Sequence, residues 1–176
     1  MGVGGGGSPG NGPSILSLNP TIQGRMAGNA VMLKPSSATA FSGGETVKTL
    51  LEAAGLPEGV FNLIQGDSRT GQALLEVGVN KISFTGSYEV GEMICRVAGG
   101  KKLSLELGSN SPLVALGDAD IERVAELTRI GGYVNAGQVC SSVPRVLVQR
   151  RRYGDYLEML KSEVEGIRVW PPVERT

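Results

Sequence analysis

Two residues in this chain of 176 are of a type and setting that suit chemistry. Cys140 sits in a polar loop, Asn135-Ala136-Gly137-Gln138-Val139-Cys140-Ser141-Ser142, after a helical pattern and before an extended one. A thiol there is partly exposed and near backbone amides that favour the thiolate, the nucleophilic form of cysteine; the competing reading is a small buried residue. Glu106 is the odd residue of Leu103-Ser104-Leu105-Glu106-Leu107. A carboxylate among apolar neighbours is costly unless paired or used, and partial burial raises its pKa toward that of a useful base. Its competing reading is an edge-strand glutamate facing water. Cys95 lies beside Met93 and Ile94 within a helical stripe, where packing is the expected role. With no histidine in the chain, Ser-His and Cys-His pairs are excluded within it, and a base must be a carboxylate, lysine or tyrosine.

The elements that must position these residues alternate between two periods. Residues 30–34 (AVMLK) are a short apolar run ending at Lys34-Pro35, as a buried strand would. A helix follows with Val47, Leu50, Leu51 and Ala54 on one stripe, Ser42 and Glu45 at capping-box spacing, and Gly55 at its stop. VFNLI (60–64) ends in Gly66, a helix carries Leu74 and Leu75, and KISF (81–84) ends in Thr85-Gly86-Ser87. Val90, Met93, Ile94 and Val97 mark the next helix, and residues 103–107 a fourth strand ending at Gly108. Such alternation predicts a parallel, Rossmann-like α/β sheet with flanking helices, in which ligands bind beyond the carboxyl ends of the strands. Beyond Gly108 come a strand from Leu113 to Leu116, a helix after Asp118, the Cys140 loop, a strand over 145–148 and a helix holding Tyr153, Tyr156, Leu157 and Leu160. This second part, residues 109–176, reads as the start of another α/β domain, and the closing RVWPPVERT carries no structural period.

Three strands end in polar or glycine turns, and these are the candidate binding site. In Thr85-Gly86-Ser87 the free amides of the following helical turn, the Ser87 hydroxyl and the helix dipole suit a phosphate, although an ordinary N-cap has the same appearance. Lys34 at a strand end is placed to pair with a ribose hydroxyl or a phosphate. Gly2, Gly4 and Gly7 satisfy G-x-G-x-x-G, but no strand precedes them and Ser8-Pro9-Gly10-Asn11-Gly12-Pro13 follows, so residues 1–13 read as a flexible glycine-rich leader.

Bulk properties narrow the function class. Apolar residues are 40% and charged residues 19% of the chain, as in a globular domain. Lys plus Arg and Asp plus Glu number 17 each, so no net field favours nucleic acid or anionic lipid, and Arg150-Arg151-Arg152 reads as a solvated turn. The sequence holds no run of about 18 apolar residues to span a membrane. Two cysteines make no disulfide framework, and without histidine a zinc site lacks its usual ligands. A cytoplasmic location is the expectation.

Together these segments resemble the aldehyde dehydrogenase superfamily, from about Pro9 to about Arg168. GNAVMLKPS (28–36), LPEGVFNLIQG (56–66) and ISFTGSYEVG (82–91) are similar to its cofactor-binding units, LELGSNSP (105–112) to its glutamate motif and NAGQVCSSVPRVLV (135–148) to its cysteine motif. Glu106 and Cys140 are 34 residues apart, as the family spacing implies. Pro9-x-Asn11-x-Pro13 stands where members carry an asparagine between aromatic residues, and Asn11 lies 23 residues before Lys34. The resemblance implies Cys140 as nucleophile, Glu106 as general base and Asn11 as oxyanion-hole amide. It places Lys34, Ser36, Ser37, Gly66, Gly86, Ser87 and Leu107 against NAD or NADP.

A small-molecule aldehyde is the implied substrate, and a homo-oligomer or a full-length paralogue the implied protein partner. Many NAD-preferring members place a glutamate three residues after the lysine; Ser37 stands there, which implies that NADP is at least tolerated. Members are well over twice this length. Glycines replace the β-branched residues of the first strand and the aromatics beside Asn11, and Trp170-Pro171-Pro172 departs from the usual continuation. A second implication is therefore a catalytically incompetent chain that binds nucleotide or associates with a full-length paralogue. An acyl-transferring enzyme using coenzyme A is disfavoured by Glu106, which supplies a base for hydrolysis.

Overall fold

The computed structural model describes residues 2–169. Its elements are, in chain order, β1 (Val3–Gly7), α1 (Pro13–Met26), β2 (Ala30–Lys34), α2 (Thr46–Ala53), β3 (Phe61–Leu63), α3 (Ser68–Glu76), β4 (Lys81–Gly86), α4 (Tyr88–Val97), β5 (Lys102–Leu107), β6 (Pro112–Ala115), α5 (Ile121–Tyr133), β7 (Arg145–Val148) and α6 (Tyr153–Glu165). Short 3-10 or π-helical turns occupy Ser37–Thr39, Phe41–Glu45, Val134–Gly137 and Arg150–Arg152. The chain divides into two compact units, Met1–Gly108 and Ser109–Thr176.

The first unit is the α/β architecture that the alternating periods predict. Its five strands are all parallel, in the order β3-β2-β1-β4-β5. The chain winds outward from β1 through β2 to β3, returns to lay β4 on the other side of β1, and continues outward to β5. The order therefore reverses between β1 and β4, which is where open α/β sheets form their ligand crevice. Leu74, Leu75, Val79, Ile82, Ile94 and Ala98 form a buried core against which Met32, Phe84, Leu103 and Leu105 pack.

The glycine-rich start is a strand at the centre of this sheet, which overturns the reading of residues 1–13 as a leader. Glycine has poor strand propensity, but β1 has a hydrogen-bonding neighbour on each side, and its entry is tied down by the Asn29 and Asn80 side chains. Asn29 Oδ1 accepts from the Gly2 N–H and Asn80 Oδ1 from the Val3 N–H, both at 2.9 Å. The space that β1 leaves empty is taken by its neighbours' side chains. A Cβ on Gly5 would come within 3.3 Å of Ile82 Cδ1, one on Gly6 within 3.3 Å of Leu33 Cδ1, and one on Gly7 within 3.0 Å of Phe84 Cδ2.

Helix α1 has no counterpart among the sequence-predicted elements. Its fully buried positions are Ser17 and Thr21, small and polar, so no apolar stripe marks it. Their hydroxyls are paired: Ser17 Oγ lies 2.7 Å from Ser8 Oγ, and Thr21 donates to the Ser17 carbonyl at 2.7 Å. Such small residues allow close approach, and a Cβ on Gly24 would stand 2.9 Å from Val31 Cγ2. The capping box at Ser42 and Glu45 does not form, because the helical path already begins before α2; Glu45 is itself helical and caps no amide with its side chain. Glu45 instead accepts from Gln65 Nε2 at 3.1 Å. Cys95 is exposed on α4 rather than packed, since Ile94 takes the buried position of that turn.

In the second unit β6 and β7 form a two-stranded parallel sheet. Ala115, Ile121, Val124 and Tyr156 are its buried core, with Leu113, Val146, Val148 and Leu160 against it. Asp120 caps α5, accepting from the Arg123 N–H at 3.2 Å. Trp170-Pro171-Pro172 lies outside the described residues.

Candidate active site

The strand ends of the first unit gather most of the sequence-predicted residues. β1 ends at Gly7, in register with Lys34 on β2 and Phe84 on β4, while Gly86 on β4 is opposite Leu107 on β5. The turn after β1 is anchored by Ser8, whose N–H donates to the Lys34 carbonyl at 3.3 Å. It carries half-buried Asn11 and enters α1 with Pro13 in the first helical turn, where the missing N–H costs nothing. A Cβ on Gly10 would be 3.4 Å from Ser36 Oγ, so the Asn11 turn and the Ser36 turn run side by side. Ser36 is half-buried and Ser37 exposed. Lys34 donates from Nζ to the Pro35 carbonyl at 3.0 Å, and its stem lies toward Gly71 of α3.

The remaining turns are also defined by close approach. Gly66 has φ 152, and a Cβ there would stand 2.0 Å from Thr70 Oγ1, so only glycine fits. At Gly86 a Cβ would stand 2.4 Å from the Phe84 ring. Ser87 is the N-cap of α4, its Oγ accepting from the Val90 N–H at 3.4 Å. A hydroxyl oxygen that accepts there still carries its own proton, and the neighbouring Glu89 carboxylate takes it. Leu107 packs on α4 at Gly91, where a Cβ would be 2.5 Å from Leu107 Cδ2.

Glu106 is the penultimate residue of β5, opposite Thr85. β5 is an outer strand of the five-stranded sheet and the Glu106 side chain is exposed, so the partial burial expected from its apolar neighbours is absent. Leu105 and Leu107 point to the other face of the pleat, half-buried, and it is they that made the carboxylate look enclosed in the sequence.

Cys140 belongs to the second unit. It is a free, exposed thiol, as its polar loop implies, and not a packed residue. The loop leaves α5 through three left-handed residues, Asn135 (φ 54), Ala136 (φ 55) and Gly137 (φ 75). It closes where the Val143 N–H donates to the Gly131 carbonyl at 2.9 Å. Ser109 Oγ donates to the Cys140 carbonyl at 2.8 Å. This contact spans 31 residues, and no spacing in the sequence signals it. Asn11 and Glu106 lie in one unit and Cys140 in the other.

The sequence pattern described as the Aldehyde dehydrogenase family matches residues 1–176. The chain belongs to that family. It is 40% identical over 152 residues to a betaine aldehyde dehydrogenase of Agrobacterium fabrum, covering 85% of this chain and 31% of the relative. An NAD-dependent benzaldehyde dehydrogenase from Corynebacterium glutamicum has a similar solved structure, with 38% identity, a TM-score of 0.88, and coverage of 94% of this chain and 37% of that one. An E. coli NADP dependent enzyme matches with 34% identity, a TM-score of 0.89, and coverage of 93% and 35%. The chain thus spans about one third of the length of these relatives.

Two carboxylates near the strand ends of this family member, Asp67 in the candidate turn after β3 and Glu89 in α4, were not given a role from the sequence. Asp67 caps α3, and its pKa is held below the ordinary carboxylate value first by the Arg69 backbone N–H and then by the Arg69 side chain. Glu89, in the first turn of α4, is likewise lowered, by its own backbone N–H and by the Ser87 hydroxyl. Their signal was present in the sequence, since an acidic residue at the start of a helix complements its dipole. Among the described residues no cluster of His, Cys, Asp or Glu could hold a metal ion, and no helix is long and apolar enough to cross a membrane.

Proposed function

We propose that this chain carries the nucleophile, the general base and a large part of the cofactor cradle of an NAD(P)-dependent aldehyde dehydrogenase that oxidises a small aldehyde to a carboxylic acid. The observation that carries this reading is the assembly of Asn11, Lys34, Ser36, Ser87 and Glu106 at the carboxyl ends of one parallel sheet, beside its switch point. That edge fits a dinucleotide. The close-packed glycines at 66 and 86 keep bulk out of the turns, the dipole at the N-terminus of α4 favours a pyrophosphate, and Lys34, Ser36 and Ser37 offer a cation and two hydroxyls. When bound, the nicotinamide supplies the hydride acceptor for the oxidation.

The chain's own residues supply the rest of the chemistry. The Cys140 thiolate attacks the aldehyde carbon, forming a C–S bond and sending the carbonyl electron pair onto oxygen. The Asn11 side-chain amide and the Cys140 N–H hold the resulting oxyanion. After loss of hydride the acyl group remains on sulfur as a thioester. Glu106 takes a proton from water, the water oxygen attacks the thioester carbon, and the carboxylic acid leaves as the thiolate is restored.

Relatives that depend on NAD and on NADP both occur among similar structures. With Ser37 where a glutamate would repel a 2′-phosphate, this chain accepts NADP. Val114 and Leu147, paired in register on β6 and β7 and both exposed, support association with further polypeptide, as in a homo-oligomer or with a full-length paralogue. The two free cysteines fit a reducing, cytoplasmic setting. The test is aldehyde-dependent formation of NADPH or NADH by the parent chain and by Cys140→Ser, beside dissociation constants for both cofactors. The variant is expected to lose the signal, and NADP to bind as well as NAD does or within a small factor of it. Full retention by Cys140→Ser overturns the nucleophile, and a strong NAD preference overturns the cofactor assignment.

A further inference from the structure

Cys140 follows closely on a backbone conformation that its sequence does not favour. Gly137 adopts the left-handed region freely and Asn135 tolerates it, but Ala136 at φ 55 carries a Cβ that disfavours it. Such a turn persists only where surrounding contacts hold it. The loop's own bonds are local: Gln138 N–H to the Asn135 carbonyl, Val139 N–H to the Gly137 carbonyl and Ser142 N–H to the Val139 carbonyl, each at 3.0 Å. Ser109 reaches the cysteine from outside the loop, donating to its carbonyl at 2.8 Å, and Ser109 Oγ lies 3.0 Å from Ser111 Oγ. The proton count fixes the direction of this chain of bonds. A carbonyl only accepts, so the single Ser109 proton is used on Cys140, and the Ser111 hydroxyl must be the donor to Ser109. Donation into Ser109 polarises its O–H and strengthens the bond beyond it.

We propose that Ser109, backed by Ser111, is a positioning residue that clamps the strained Cys140 loop in the conformation presenting the thiol to solvent and substrate. The role rests on the reading of Cys140 as the nucleophile. The clamp comes from the segment directly after β5, and Ser109 lies three residues beyond Glu106 in the chain.

Thiol reactivity tests the clamp without turnover. In a Cys95→Ser background Cys140 is the one remaining thiol, and its alkylation by iodoacetamide at fixed pH reports the fraction of chains that present it. Ser109→Ala is expected to slow alkylation about two- to tenfold, the range that one hydrogen bond supports. Ser109→Thr keeps the hydroxyl and is expected to restore the parent rate, and Ser111→Ala to slow it less than Ser109→Ala does. A Ser109→Ala rate equal to or above the parent's, or a Ser109→Thr rate as slow as that of Ser109→Ala, overturns the clamp. If Ser109→Ala does not fold, Ser111→Ala carries the test, and an unchanged rate overturns it. Undiminished aldehyde oxidation by Cys140→Ser would end the nucleophile reading and leave the clamp standing, so the two failures are distinguishable.

Discussion

Replacing Gly6 by proline decides whether residues 3–7 form a central strand, because a leader would tolerate the change and a sheet would not. Gly6 is buried and lies opposite Leu33 on β2 and Ser83 on β4. Proline has no N–H, so one buried carbonyl loses its donor, at about 1–3 kcal/mol. Its ring must also occupy space where a Cβ alone would come within 3.3 Å of Leu33 Cδ1, and Leu33 is 0% exposed. Overpacking of that kind costs about 1–3 kcal/mol. The combined loss of about 2–6 kcal/mol is a large part of the 5–15 kcal/mol that a domain typically has. At about 4–8 °C per kcal/mol for a unit of this size, the unfolding temperature is expected to fall by roughly 10 °C or more. Far-UV circular dichroism during heating measures it, and a urea titration should show a lower midpoint at an unchanged slope. An unfolding temperature equal to the parent's would refute the placement of β1 and with it the switch point.

Gly4→Ala should act in the opposite direction: a Cβ there meets nothing closer than the Ala30 carbonyl at 3.9 Å, so the chain gains about 0.5–1 kcal/mol by restricting its unfolded state, read as a higher urea midpoint. In the second unit Tyr156 is 4% exposed and donates to Thr128 Oγ1 at 3.2 Å, so Tyr156→Phe is expected to cost about 0.5–1.5 kcal/mol in the same assay. Asp67 has a folded pKa below its ordinary 3.8, so its contribution is complete above that value and is lost as the pH falls through the lowered one. The unfolding temperature of the parent chain is therefore expected to drop on acidification below about pH 4 more steeply than that of Asp67→Asn. Equal slopes would show that the Arg69 contacts contribute nothing.

Much of the fold was legible. β2 spans the residues its apolar run indicated, and β4, β5, β6 and β7 lie within a residue or two of the expected runs because buried strands and stripes of period 3.6 are local patterns. The polar turns at Lys34, Gly66 and Gly86-Ser87 were legible as ends of strands, since such turns are also local patterns. Three features were not legible, each for a definite reason. β1 consists largely of glycine and has no pattern to read, and α1 buries serine and threonine in place of an apolar stripe. Cys95 sits in an apolar stretch but on the outer face of its helix, and a sequence stripe does not say how wide the covered face will be.

By itself the sequence determined the alternation of elements and the polar loop that leaves Cys140 exposed. Tertiary structure decided what neighbours supply. A row of glycines became the centre of a sheet because β2 and β4 pair with it on both sides, and the strand order created a switch point that no local window contains. Glu106 came to lie on an outer strand, exposed, because pairing order and not composition determines which strands have a free edge. The hydrogen bond from Ser109 to the Cys140 carbonyl has the same origin, since a contact between residues 31 positions apart exists only after the chain has folded back on itself.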